Sequence, residues 1–379
     1  MLRDLVALAR QRAPEVALGR AALSASRASY ASADLAAVGN PTLEVKADRG
    51  TQGVTKDITI DASVWLPVEL AGAKQTRGRE AREYVSLHEA LLEQARAIAA
   101  ARTVRAFGGL AVATARARVV EELLVSARAE ADHYNQRLAA GDATERDAAL
   151  AALEAARNEA LLSEAEVDIL RQAGDLVELT GRSFDRSARL EADPPAYGPT
   201  RPAAQRAQAM PVARVLEAQA RYYASSGERL KREGSNPLSF GITGGRGDFG
   251  EARFGAGVGY TWPLFRSNQP ERARAEAERA RAVEELTLRR ELVARRLALL
   301  EHELAELGKT VAVVQRLALP AANRAVNAAV ETNRAGKGDW LSVLVSRRDL
   351  SALSLRYLEL LERKWGVLSE IIELTGELP

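Results

Sequence analysis

Two short turns carry the side chains best placed to do chemistry. The first reads Gly141-Asp142-Ala143-Thr144, with Asp147 following; the second reads Gly336-Lys337-Gly338-Asp339. Charges this close to a turn can pair with opposite charges nearby, each exposed pair contributing about 0–1 kcal/mol. The same acidic residues would also favour the N-terminus of a following helix. Gly141 and Gly336 suit the positive-φ position that ends a helix. Catalysis finds no foothold: no Ser/His/Asp grouping or carboxylate pair stands out, and no cofactor is expected. His88, His133 and His302 are scattered without metal-ligand spacing and are expected at the surface. With no cysteine, disulfides, Cys-ligated zinc and a thiol nucleophile are excluded. The stretch GITGGRGDFG (241–250) lacks the Lys-Ser/Thr of a phosphate loop. Its glycines are expected to suit a tightly curved strand and its loop, and the Arg-Gly-Asp within it to be incidental.

The two turns hold equivalent places in a duplicated chain. Gly181 and Gly376 each close the tetrapeptide Glu-Leu-Thr-Gly and stand 195 positions apart, as do Gly141 and Gly336. Asn40-Pro41 and Asn236-Pro237 stand 196 apart, as do Pro67 and Pro263. The chain is two tandem copies, 1–199 and 200–379, with a period far longer than that of a solenoid.

Each copy must position its turn with the same elements. Residues 1–38 have helical spacing, and Gly39-Asn40-Pro41 breaks it. The period then changes to two across a hairpin at 40–67. Leu43, Val45 and Ala47 alternate with Glu44, Lys46 and Asp48, and Ile58, Ile60, Ala62, Val64 and Leu66 alternate with Asp57, Thr59, Asp61, Ser63 and Trp65. A hairpin at 236–265 repeats the parity. Leu238, Phe240 and Ile242 alternate with Ser239, Gly241 and Thr243, and Phe254, Ala256, Val258, Tyr260 and Trp262 alternate with Arg253, Gly255, Gly257, Gly259 and Thr261. Strands of about ten residues fit a tilted bilayer crossing. Ile58, Ile60, Val64, Phe254, Val258, Tyr260 and Trp262 are therefore expected to face lipid, with Asp57, Asp61, Ser63, Arg253 and Thr261 on the other side. Tyr260 and Trp262 lie at a strand end, where an interfacial aromatic girdle sits.

A long helix follows each hairpin, over 70–140 and 266–335, each able to span on the order of 100 Å at 1.5 Å per residue. The second carries a heptad seam: Val293, Leu297, Leu300, Leu304, Leu307, Val311, Val314, Ala318, Ala321, Ala325 and Ala328. Pro320 is expected to kink or loosen it. Return helices over 142–181 and 339–376 complete each helical hairpin, and a Pro-rich connector at 182–203 joins the copies.

Composition agrees. Ala, Arg, Glu and Leu dominate and aromatics are only 5%, as in long helices and coiled coils. A net charge of +2 gives no case for nucleic acid. No apolar run reaches the roughly 18 residues of a membrane helix. The opening MLRDLVALARQRAPEV reads as a soluble amphipathic helix, so the protein is either cytoplasmic or numbered from after a removed signal. Four amphipathic strands cannot close a barrel, and open edges are not tolerated in lipid, so further copies must complete the sheet. A soluble coiled-coil scaffold or adaptor is the alternative; it accounts for the helices but not for four strands of matched parity.

The doubled order of helix, Asn-Pro hairpin, Pro-Val/Leu, long helix, Ala-Gly turn, return helix and Leu-Thr-Gly resembles the TolC-like outer-membrane efflux protein family over essentially the whole chain. Residues 317–376 are similar to that family's second-repeat signature. The resemblance implies a mainly α fold with membrane β: two long α-helical hairpins and two β-hairpins per chain. It implies a homotrimer whose twelve-stranded barrel continues into an α-helical tunnel. It also implies an outer-membrane location with a periplasmic extension, a periplasmic adaptor and an inner-membrane pump as partners, and export of small molecules or proteins. It assigns Gly141, Gly336 and Gly338 to the adaptor-docking tip, and Asp142, Thr144, Asp147, Lys337 and Asp339 to a polar constriction that gates the tunnel. Three departures accompany it. The family's signal peptide or lipid-bearing Cys is missing from the sequence, Val125 stands in the first copy where the second has Pro320, and the short connector implies a thin belt around the tunnel.

Overall fold

The computed structural model describes residues 1–33, 40–49, 58–68, 72–183, 190–198, 201–233, 238–246, 251–260, 268–335, 337 and 340–378. Its elements are α1 (Leu2–Arg12), α2 (Pro14–Ala33), β1 (Thr42–Arg49), β2 (Ile58–Val68), α3 (Ala73–Ala139) and α4 (Glu145–Thr180) in the first copy. The second has α5 (Ala203–Gln208), α6 (Pro211–Glu233), β3 (Leu238–Arg246), β4 (Ala252–Tyr260), α7 (Gln269–Val313), a π-helical turn (Val314–Ala318), α8 (Leu319–Arg334) and α9 (Trp340–Thr375). In both, two helices precede a β-hairpin and long helices follow it.

The opening helix departs from expectation by dividing in two. Pro14 clashes with a helical residue before it, so Ala13 turns to φ −52, ψ 142, and α2 starts afresh with proline at its first position.

The chain forms two compact units. Residues Gly19–Leu92 and Val212–Arg289 make one, built around an antiparallel sheet of order β1-β2-β3-β4. The hairpins of the two copies join edge to edge, with Val64 opposite Ile242 and Trp65 opposite Gly241. In the same unit Arg221 bonds Glu83 at 3.1 Å, Arg229 pairs with Glu80, and the rings of Tyr84 and Tyr222 lie 5.4 Å apart, tying α6 to α3.

The other unit comprises Met1–Leu18, Glu93–Pro211 and Arg290–Pro379. Its core includes Leu5, Val6, Leu176, Leu179, Leu297, Leu300, Leu368, Ile371 and Ile372. Gly108 admits Trp365 so closely that a Cβ there would lie 2.3 Å from the indole. The same indole donates to the Ala192 carbonyl at 2.7 Å and so pins the connector. Arg206 is fully buried and pairs with Glu301 and with Glu377, the latter at 3.0 Å.

Both return helices end alike. Thr180 and Thr375 donate back to the carbonyls of Leu176 and Ile371, and their hydroxyls accept from the backbone N–H of Arg182 and Glu377. Gly181 (φ 66) and Gly376 (φ 69) take the left-handed conformation that a β-carbon would oppose. The repeated Leu-Thr-Gly is thus a repeated C-terminal cap.

Pro320 loosens the second long helix in a specific way. It has no N–H, and its ring opposes the carbonyl of Arg316 four residues back. The backbone widens into the π turn just ahead, where Leu319 bonds the carbonyl of Val314, five residues back. Such a turn holds one residue more than an α turn, so the buried stripe shifts by one. Val293, Leu297, Leu300, Leu307 and Val311 are buried as the heptad requires. Beyond the turn Ala321, Ala325 and Ala328 are exposed, and Ala322, Val326 and Ala329 take their places, half-buried.

Candidate functional site

The sheet separates its faces by register. Leu43, Val64, Ile242 and Ala256 form one continuous row, and Leu66, Phe240 and Val258 form the next. Val45, Ala62, Gly244 and Phe254 make a third on the same side, as do Val68, Leu238 and Tyr260 beyond. That side is bare: Phe254 is 88% exposed, Ile242 67% and Val258 66%, with Ile58, Ile60, Val64 and Tyr260 also exposed. The expected apolar set therefore shares one side, save Trp262, which lies outside the described residues with Asp57 and Thr261. The other side carries Glu44, Ser63 and Thr243 in one row and Lys46, Asp61, Gly245 and Arg253 in another.

Sequence reasoning missed the tenant of that polar side. Trp65 stands opposite Gly241, which stands opposite Gly257. A Cβ at Gly241 would lie 2.5 Å from the indole, and one at Gly257 2.9 Å. Neither glycine has a positive φ, so neither is there for backbone freedom. Gly245 similarly makes room for Asp61, whose Oδ1 would lie 1.9 Å from an added Cβ. The readable signal is glycine at every second position, 255, 257 and 259, on the parity of a large side chain.

The turn after α3 has a definite geometry. Gly141 has φ 81, and Asp142 N–H donates to the Arg137 carbonyl at 2.8 Å, closing the helix end. The second copy makes the matching bond, from Lys337 N–H to the Thr332 carbonyl at 3.1 Å. Gly336, Gly338 and Asp339 lie outside the described residues. Thr144 and Asp147 form a capping box at the start of α4. Asp147 N–H donates to Thr144 Oγ1 at 3.2 Å, Thr144 N–H donates to Asp147 Oδ2 at 3.3 Å, and the hydroxyl donates to the same oxygen at 2.7 Å. Two of the candidate gate side chains are thereby bonded to each other. Asp142 and Lys337 remain exposed.

Behind these turns sits an apolar cluster that the sequence did not single out: Tyr134, Ala148, Ala151, Trp340, Val343 and Leu344. The rings of Tyr134 and Trp340 lie 4.7 Å apart, and Arg137 covers Tyr134 at 5.6 Å. Farther along, Arg348 grips Glu154 through two nitrogens at 2.8 and 2.9 Å, and Arg347 pairs with Glu130. Ion pairs and rings thus join α9 to both α3 and α4, and the two copies meet behind the turns.

Among the described residues no cluster of three His, Cys, Asp or Glu side chains could hold a metal. His133 and His302 are exposed as expected. His88 is not: it is half-buried with its ring 4.6 Å from that of Tyr84, and burial pushes its pKa down. Among the described residues no helix is long and apolar enough to cross a membrane.

No family model matches the chain. The cobalt-zinc-cadmium resistance protein CzcC of Cupriavidus metallidurans is 26% identical over 342 residues, covering 89% of this chain and 81% of that one. The outer membrane protein VceC of Vibrio cholerae superposes with a TM-score of 0.76 at 19% identity, over 99% of this chain and 97% of that one. The MtrE outer membrane channel of Neisseria gonorrhoeae, solved in an open state, gives 0.76 at 15% identity over 99% and 88%. Over nearly its whole length the chain shares its fold with these two outer-membrane proteins.

Proposed function

We propose that the protein is the outer-membrane channel-tunnel of a tripartite efflux or type I secretion system. Three copies close a twelve-stranded barrel, and their helices form a periplasmic tunnel that meets an adaptor and an inner-membrane pump. The observation that carries this reading is the sheet. Its apolar rows run unbroken across both copies and are bare, while β1 and β4 are its two edges. A bare apolar face of this extent marks a surface made to be covered, and lipid tolerates the strands only if their edges are paired. A soluble scaffold would expose both liabilities to water. The protein acts by conduction and needs no reactive group. Cargo choice rests with the pump, since Met 2, His 3 and Cys 0 mark no metal pathway along the chain.

At the tip, Gly141 and Gly336 with Gly338 form the docking turns. Exposed Asp142 and Lys337, with Asp339, act as the charges that hold the end closed, while Thr144 and Asp147 cap α4. Individually weak pairs become effective when threefold symmetry repeats them, and adaptor docking reverses the bias. Mass measurement in mild detergent and single-channel recording in planar bilayers test the whole reading. A trimer with discrete K⁺ conductance is expected; a monomer soluble without detergent would overturn it.

A further inference from the structure

We propose that Trp65 is a cargo-contact surface for flat aromatic cations on the polar side of the sheet; the inference rests on the channel reading above. Indole carbons well separated in the ring lie close to the sheet, over Gly241 and over Gly257, while a Cβ at Gly259 would be 3.5 Å away. The ring therefore lies across β3 and β4, seated on bare backbone, and does not stand out from them. Trp65 is half-buried, so part of the ring stays open. Its Nε1 donates to Ser63 Oγ at 3.1 Å, which holds the ring by a neutral bond. Among the described residues the cations that cover rings do so at Tyr134 and Tyr197, not here.

A held indole with an open face attracts aromatic rings by stacking and positive charge through its quadrupole. The same side adds carboxylates: Glu44 lies opposite Ser63, diagonal to Trp65, and Asp61 lies one row beyond Ser63. Lys46 shares Glu44 at 3.2 Å. A packing role alone would be met by any large apolar side chain over the glycines; ligand contact requires the π-face.

The test is block of K⁺ current in planar bilayers by N-methylquinolinium, with magnesium as the comparison ion. Trp65→Leu should raise the half-blocking concentration of N-methylquinolinium about two- to fivefold, the range of an exposed cation–π contact. Trp65→Phe, which keeps a ring, should fall between, and magnesium block should not follow the series. Equal N-methylquinolinium block in wild type and Trp65→Leu overturns the proposal while leaving the channel reading intact. Absence of any K⁺ current in the wild type overturns both. If the Leu variant does not assemble, fluorescence quenching of the detergent-solubilised wild type is compared with that of Trp65→Phe. A Trp65-dependent component that saturates with N-methylquinolinium supports the contact; a purely linear collisional response overturns it.

Discussion

Replacing Ile242 by arginine should cripple assembly, whereas the same replacement at its neighbour Thr243 should not. The two residues are adjacent on β3, at nearly one depth, and differ only in side. Ile242 lies in the row with Leu43, Val64 and Ala256, near the middle of the apolar face, and is 67% exposed. An arginine at the bilayer midplane of a barrel costs about 2–4 kcal/mol, against about 0–1 kcal/mol near an interface. Taking about 3 kcal/mol, the folding equilibrium constant of each chain falls by a factor of roughly 100 to 200 at 1.4 kcal/mol per decade. A trimer carries the loss three times. Arg246 is a native control, since it shares Ile242's side but lies near the strand end with Ile60 and Ala252, where the cost is small. Thr243 faces Ser63 and Gly255 on the polar side, so under the channel reading an arginine there should meet no lipid. Urea titration in lipid vesicles, with light scattering in mild detergent, measures both variants. Equal losses, or a larger loss at Thr243, would refute the assignment, because a slip of one residue reverses every side chain.

A β-carbon at Gly241 collides with the indole, so Gly241→Ala should cost about 1–3 kcal/mol by overpacking; in a double-mutant cycle by urea denaturation, Trp65→Ala should cancel much of that cost. Thr144→Ala should lose about 1 kcal/mol of capping without altering conductance, whereas Asp142→Ala with Lys337→Ala should raise single-channel conductance and leave the trimer's urea midpoint unchanged. Burial lowers the folded pKa of His88 below 6.5, so the unfolded chain binds more protons as pH falls and stability declines below about pH 6.5; His88→Gln should flatten the urea midpoint between about pH 7 and 5.

The ends of elements were readable because single residues determine them. Gly141, Gly181 and Gly376 take the positive φ that their positions implied, and period-two alternation gathered the apolar residues named for the described strands onto one side of the sheet. What escaped depended on partners distant in sequence. Nothing near Trp65 announces Gly241, 176 positions on; only strand pairing brings them together. His88 looked like a surface residue until Tyr84 and its surroundings covered it. That Thr144 and Asp147 bond each other as a cap was invisible in the letters, because it depends on hydrogen-bond geometry. The heptad extrapolated from Val293 failed after Ala318 because a proline effect four residues deep adds a residue that a fixed period does not count.

That added residue sets the two ends of one helix at different angles. The stripe buried at Leu297 and Leu300 and the one that reaches Ala329 and Val330 beside the aromatic cluster lie one residue out of phase. The helix is built like a shaft with a fixed phase offset: each length presents its own face to its neighbours. The first copy, with Val125 in place of Pro320, has no such offset, and α3 runs unbroken from Ala73 to Ala139. Two long helices of one design therefore differ in angular setting by the effect of a single proline.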